Sequence, residues 1–300
     1  MVVKEQSAAS HVRFPFLTSR GLRVGAETGS SGMTTDLVSA AITRLQRGAT
    51  KVEFIHKPYS GWPYPRPGPS DLTGSLVAFR VAVLDSSFNP PTLAHRALSL
   101  LPAAASPIEA RLLLLSVRNA DKTPRPGDAS LSQRVEMMVR LACDINAAVA
   151  LVDAPAFIHK AEQLRTAFPA GARLAFIQGI DTLERFLAPR YYGDGSPEVM
   201  NAALRQFFAP DGSDARIICA RRGMELGDPR RETATLELEA TREWIRADRV
   251  SIADIDDELQ TFSSSEVRAK VRARDDSWCH MVPNYIAKYI EEQNLYLDPA

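Results

Sequence analysis

From residue 80 onward the chain alternates two hydrophobic patterns. Short, continuously apolar runs recur at VAVL (81–84), ARLLLLSV (110–117), AAVALV (147–152), ARLAFI (172–177) and ARIICA (215–220). Between them, apolar residues fall at helical spacing over 93–101, 131–146, 158–167 and 180–188. A run apolar at every position is buried on both faces, as strands of a helix-covered parallel sheet are. With right-handed crossovers, the alternation predicts an α/β fold: a Rossmann-like doubly wound parallel sheet with helices on both faces. Such sheets bind ligands outside the carboxyl ends of their strands, so chemistry is expected in the residues that follow each run.

Upstream the rhythm is different. Residues 36–48 (DLVSAAITRLQRG) carry Leu37, Ala40, Ala41, Ile42 and Leu45 at helical spacing, with Asp36 near the start and Gly48 past the end, so a short amphipathic helix is expected. VEFI (52–55) is a candidate strand, and the five prolines of 58–70 predict a stiff extended connector. The chain is therefore divided into an N-terminal extension, 1–75, and a domain, 76–300. Residues 191–214 read as an inserted loop and helix.

Composition narrows the function. The 300 residues are 45% hydrophobic and 24% charged, an ordinary globular mix that excludes collagen, coiled coil and wholesale disorder. Lys+Arg and Asp+Glu are 36 each, so there is no overall basic field to hold a polyanion, and nucleic acid is not an expected partner. By segment the balance is +4 in 1–75 (9 against 5) and −4 in 76–300 (27 against 31). Any anion site must then be a local cationic pocket. Cys143, Cys219 and Cys279 form no CxxC pair, which suggests neither a disulfide framework nor a thiolate metal site. No apolar run reaches membrane-spanning length, and Glu5 and Glu27 interrupt any transit-peptide pattern. A cytoplasmic protein is expected, with nuclear entry and self-association left open.

Two segments after the strands carry candidate chemistry. DSSFNPPTLAHRAL (85–98) is a turn of small residues feeding a helix, with Thr92 and His95 three apart on one face. Free N–H groups at a helix start beside a cationic or hydrogen-bonding histidine suit a phosphate. FSSSEVRAKVRA (262–273) begins with Ser263 and Glu266 in capping-box spacing. Capping leaves Ser264, Ser265 and Arg268 unexplained, and together they would direct hydroxyls and a guanidinium at one anion. Taken singly, each segment reads equally well as a plain turn or a capped surface helix.

Together, SSFNPPTLAH (86–95) and FSSSEVR (262–268) resemble the paired phosphate-binding motifs of the nicotinamide/nicotinic acid mononucleotide adenylyltransferases, in the HxGH nucleotidylyltransferase superfamily. FIQGIDTLERF (176–186), IICARRG (217–223) and YIEEQNLY (289–296) resemble that family's GxD segment, its strand ending in RxG and its C-terminal helix, in the right order over about 80–297. VLDSSFNPP and VRNADK (117–122) look most like the divergent fungal branch. The chain departs from the family at Ser86 and Ala94, where the family has glycines, and at Ser265, where it has threonine.

The resemblance implies transfer of AMP from ATP to a pyridine mononucleotide, with Mg2+ carried by the ATP phosphates. It implies that Thr92 and His95 hold the ATP phosphates, and that Ser87 and Phe88 form the turn under the mononucleotide phosphate and the α-phosphate. Ser263, Ser264 and Arg268 would grip the β and γ phosphates. Lys122 would be a basic loop residue near them, and Gly179 and Asp181 would line the adenosine ribose. Phe157 would stack on the pyridine and Arg221 would face the mononucleotide. Two other classes stay open: a related nucleotidylyltransferase or ATPase with another acceptor, and a nucleotide-binding regulator that has lost turnover. FSSSEVR does not resemble the RTEGIST-like motif of the cytidylyltransferases. Residues 1–75 have little counterpart in the ordinary enzymes of the family.

Overall fold

The structure is a computed structural model that describes residues 30–64, 79–101, 108, 110–118, 126–154, 156–169, 171–221, 233 and 235–297. The five apolar runs form the strands β2 (Phe79–Asp85), β3 (Ala110–Ser116), β4 (Ala148–Val152), β5 (Ala172–Gly179) and β6 (Arg216–Ala220). The intervening helices are α2 (Leu93–Leu100), α3 (Leu131–Ile145), α4 (Phe157–Ala167) and α5 (Ile180–Phe186). The sheet has seven strands in the order β1-β4-β3-β2-β5-β6-β7, completed by β1 (Val52–His56) and β7 (Val250–Ala253). All neighbours are parallel except β1, which pairs antiparallel with β4. Counted from β2, the parallel strands lie in the order 3-2-1-4-5-6 of a dinucleotide-binding fold.

The leucine run of β3 shows why these strands read as unbroken apolar stretches. Leu112 and Leu114 face one core, while Leu113 and Leu115 face the other. The first core also takes Ala161 and Leu164 of α4, Leu183 and Phe186 of α5, and Leu204, Phe207 and Phe208 of α6 (Pro197–Phe208). α6 is the helix of the 191–214 segment. The second core takes Val135, Met138, Leu141 and Ala142 of α3. Both faces are thus dry, as the alternation predicts. A third apolar cluster joins Met137, on another side of α3, to α9 (Ser264–Arg272) and α10 (Asn284–Glu292). Shorter helices α7 (Glu239–Arg246) and α8 (Asp257–Thr261) flank β7.

Residues 30–64 share these cores. α1 (Ser30–Gln46) buries Val38, Ala41 and Leu45 with α3, and β1 extends the sheet edge. The connector expected over 58–70 is corrected within its described part. Residues 58–64 fold into a turn that buries Trp62 to 3% exposure. Its ring meets Phe54 and Phe168 edge-on, each at 5.5 Å. Burying an indole outweighs the preference of flanking prolines for an extended, solvated chain. Residues 65–70 and 1–29 lie outside the described residues. Among the described residues, no helix is long and apolar enough to cross a membrane.

Candidate functional site

The strand order reverses direction between β2 and β5, which puts a crevice at their carboxyl ends. Ser86–Thr92 leaves β2 at this point, Gly179–Asp181 leaves β5, and Arg221 leaves β6.

The turn after β2 is held from below. Phe88 takes a left-handed φ of +45° and sinks its ring into the second core. That conformation costs a non-glycine residue about 1–2 kcal/mol, offset here by burial of the whole ring. Phe88 can therefore offer a ligand only its backbone. The Arg134 Nε, in the first turn of α3, donates to the Ser87 carbonyl at 2.7 Å.

Thr92 is the N-cap of α2, ahead of its first turn, and His95 is the third helical residue. The two form a reciprocal capping box in which the imidazole replaces the usual Glu or Gln. The Thr92 N–H donates to His95 Nδ1 at 3.0 Å, which leaves the ring proton on Nε2. Nε2 faces the Ser86 hydroxyl at 2.9 Å. Burial pushes the His95 pKa down to about 4. Of the two sequence alternatives, cationic or hydrogen-bonding, the structure selects the second: at neutral pH His95 presents an N–H donor and no charge.

The second motif meets the first across 174 and 179 residues of chain. Ser264 Oγ donates to the Pro90 carbonyl at 2.7 Å, and Arg268 Nη1 donates to the Asn89 carbonyl at 2.5 Å. Arg268 also reaches the Ser264 carbonyl at 3.1 Å and lies 3.7 Å from Asp128. Ser263 is the N-cap of α9, its hydroxyl accepting from the Glu266 N–H at 3.1 Å. That oxygen is spent on the helix, while Ser264 and Arg268 line the junction. Tyr296, fully buried, closes the far side by donating from its hydroxyl to Asn89 Oδ1 at 2.8 Å.

On the other face of the sheet, Gly179 is the N-cap of α5, with an ordinary φ of −80°. A Cβ added there would meet nothing within 4 Å. The fold itself does not demand this glycine, so the open space above it is available to a ligand. Asp181 lies in the first turn of α5. Arg221 is half-exposed and 3.7 Å from Asp254. Phe157 opens α4 and packs edge-on to Phe176 and Phe186 at 5.9 and 6.2 Å, with the Lys160 Nζ 5.2 Å from its ring centre. Lys122 lies outside the described residues, as do residues 222 and 223 of the RxG segment.

Sequence reasoning missed Arg134, Asp128, Tyr296 and the buried ion pair of Lys160 with Asp85, 2.5 Å apart. Lys160 could have been found. It shares the α4 stripe of Phe157, Ala161 and Leu164, and a lysine on a buried stripe requires a partner.

Fold and junction together define a doubly wound α/β protein whose two motifs meet at the switch point. No family model matches the chain. It is 33% identical over 148 residues to a Schizosaccharomyces pombe protein provisionally named nicotinamide mononucleotide adenylyltransferase, spanning 48% of this chain and 54% of that one. The chain thus matches about half the length of this relative. A Bordetella petrii protein, provisionally named nicotinate-nucleotide adenylyltransferase, is 26% identical over 72% of this chain and 98% of its own. Among solved structures, the Plasmodium falciparum nicotinic acid mononucleotide adenylyltransferase complexed with NaAD superposes with a TM-score of 0.50 at 14% identity, over 73% of this chain and 97% of that one. It corroborates the fold. In sequence the chain is similar to nicotinamide and nicotinate mononucleotide adenylyltransferases.

Proposed function

We propose that the protein transfers AMP from ATP to nicotinamide or nicotinic acid mononucleotide, forming NAD or deamido-NAD and pyrophosphate. One observation carries the reading: the two motifs, far apart in sequence, are joined at the switch point by Ser264 and Arg268. In the reaction a 5′-phosphate oxygen of the mononucleotide attacks the α-phosphorus, and the bond from that phosphorus to the bridging oxygen of the β-phosphate breaks. Pyrophosphate leaves with the electron pair. No covalent protein intermediate is needed, so positioning and electrostatic stabilisation supply the catalysis.

Each residue then has a task. His95 exchanges the Ser86 hydroxyl for a phosphate oxygen on Nε2–H, and Thr92 keeps the ring in that tautomer. Ser87 and Phe88 present backbone N–H groups to the mononucleotide phosphate and the α-phosphate. Arg268, Ser264 and the N–H groups that open α9 take the β and γ phosphates, with Ser263 fixing the helix start and Lys122 adding charge. Gly179 admits the ribose and Asp181 accepts from its hydroxyls. Phe157 and Arg221 face the mononucleotide. Magnesium arrives with the substrate. The junction consists mainly of N–H, guanidinium and hydroxyl donors, while Mg2+ takes oxygen ligands, which the triphosphate and water supply.

The test is pyrophosphate release from ATP that depends on added mononucleotide. Release at the same rate without acceptor would identify an ATPase instead, and bound ATP with no release would identify a regulator.

A further inference from the structure

Asp85 is the last residue of β2, immediately ahead of the Ser86–Asn89 turn. Its side chain and that of Lys160 are 9% and 7% exposed. By alternation with Val83 it points to the face of the sheet that holds α4. The parallel register pairs Leu84 with Ile177, so the next residue of each strand, Asp85 and Gln178, lie side by side on that face. Among the described residues, Gln178 has both amide atoms buried and without a hydrogen-bond partner. Lys160 is the group that meets Asp85.

A buried carboxylate next to a turn that must receive two anions works against its own site. At several ångströms, in the effective dielectric of a protein, one unit of charge alters the affinity of a phosphate by about tenfold or more. We infer that Lys160 is a positioning residue whose ammonium neutralises Asp85, so that the Ser86–Asn89 turn accepts phosphate. This inference rests on the assignment of that turn to the phosphates of ATP and the mononucleotide. It assigns Lys160 no contact with substrate: the lysine acts through Asp85.

A plain structural ion pair would stabilise the fold and leave nucleotide affinity unmoved, so affinity is what must be read. The test compares the full-length wild type with Lys160→Met, Asp85→Asn and the double variant, by calorimetric titration with ATP and by thermal unfolding. Lys160→Met exposes the turn to an unpaired carboxylate and is expected to weaken ATP binding by about tenfold or more. The double variant removes both charges, a change that buried pairs commonly tolerate, and is expected to bind within about threefold of wild type. Asp85→Asn leaves the ammonium facing the turn and is expected to bind ATP at least as tightly as wild type.

If Lys160→Met does not fold, the other two variants decide. The inference is overturned if Asp85→Asn binds more weakly than wild type, or if the double variant stays about tenfold weak. It is equally overturned if all variants bind alike while their melting temperatures differ. Wild-type protein that binds ATP but makes no dinucleotide would refute the proposed function and leave this test intact. A wild type that binds no ATP would refute both.

Discussion

Replacing Arg268 by alanine separates stability from catalysis at the motif junction. Its guanidinium donates to the Asn89 and Ser264 carbonyls and is 16% exposed. Losing charge-assisted bonds of this kind costs about 1.5–3 kcal/mol of stability. Asp128 is not stranded by the change, because Arg272 pairs with it at 2.7 Å. The variant should therefore fold, with a lower melting temperature. Its loss of rate should be larger than this loosening explains, because under the proposed function the β and γ phosphates lose a cation where charge accumulates. Removing one such contact costs ~100-fold, or about 2.7 kcal/mol of barrier. Arg268→Lys keeps the charge without the fork and should fall between the two. The assay is steady-state pyrophosphate release under conditions where circular dichroism shows the variant folded. Turnover within about threefold of wild type would refute the assignment of Arg268 to the phosphates.

Three further expectations follow from the same geometry. His95 is held neutral, its pKa lowered to about 4 against about 6.5 in the unfolded chain. Below pH 6.5 the unfolded state takes up a proton that the native state refuses, so stability present above that pH is lost as pH falls toward 4, by up to about 3 kcal/mol. Urea unfolding of wild type and His95→Asn at pH 8, 6 and 4 checks this, and parallel pH dependences would contradict it. Gly179→Ala adds a methyl group to open space and should leave stability within about 1 kcal/mol while weakening ATP binding, read by titration. Unchanged affinity would mean that no ligand approaches there. Leu45→Ala should cost about 2–5 kcal/mol in chemical denaturation, because α1 shares the second core; a surface-like cost would show that α1 is dispensable.

The parallel sheet was legible because each of β2 to β6 is buried on both faces and so reads as a run. β7 was not, since Val250–Ala253 is four residues long with only Val250 fully buried. The two segments 86–95 and 262–268 were legible as motifs, but what Ser264 and Arg268 hold was not. Their partners are main-chain carbonyls, and no residue identity marks a carbonyl. Trp62 hid among prolines because its slot is made by Phe54 and by Phe168, more than 100 residues away. The pairing of Lys160 with Asp85 spans 75 residues and depends on which sheet face α4 covers. Local pattern shows that Lys160 needs a partner but not that the partner is Asp85. The neutrality of His95 is likewise a property of burial, which composition does not reveal.

The most direct test of the central claim is chromatographic analysis of the products when purified protein is incubated with ATP and magnesium, with nicotinamide mononucleotide and nicotinic acid mononucleotide in parallel. The account predicts NAD or deamido-NAD formed in equal amounts with pyrophosphate. ATP bound at the switch point with no dinucleotide from either acceptor would contradict it.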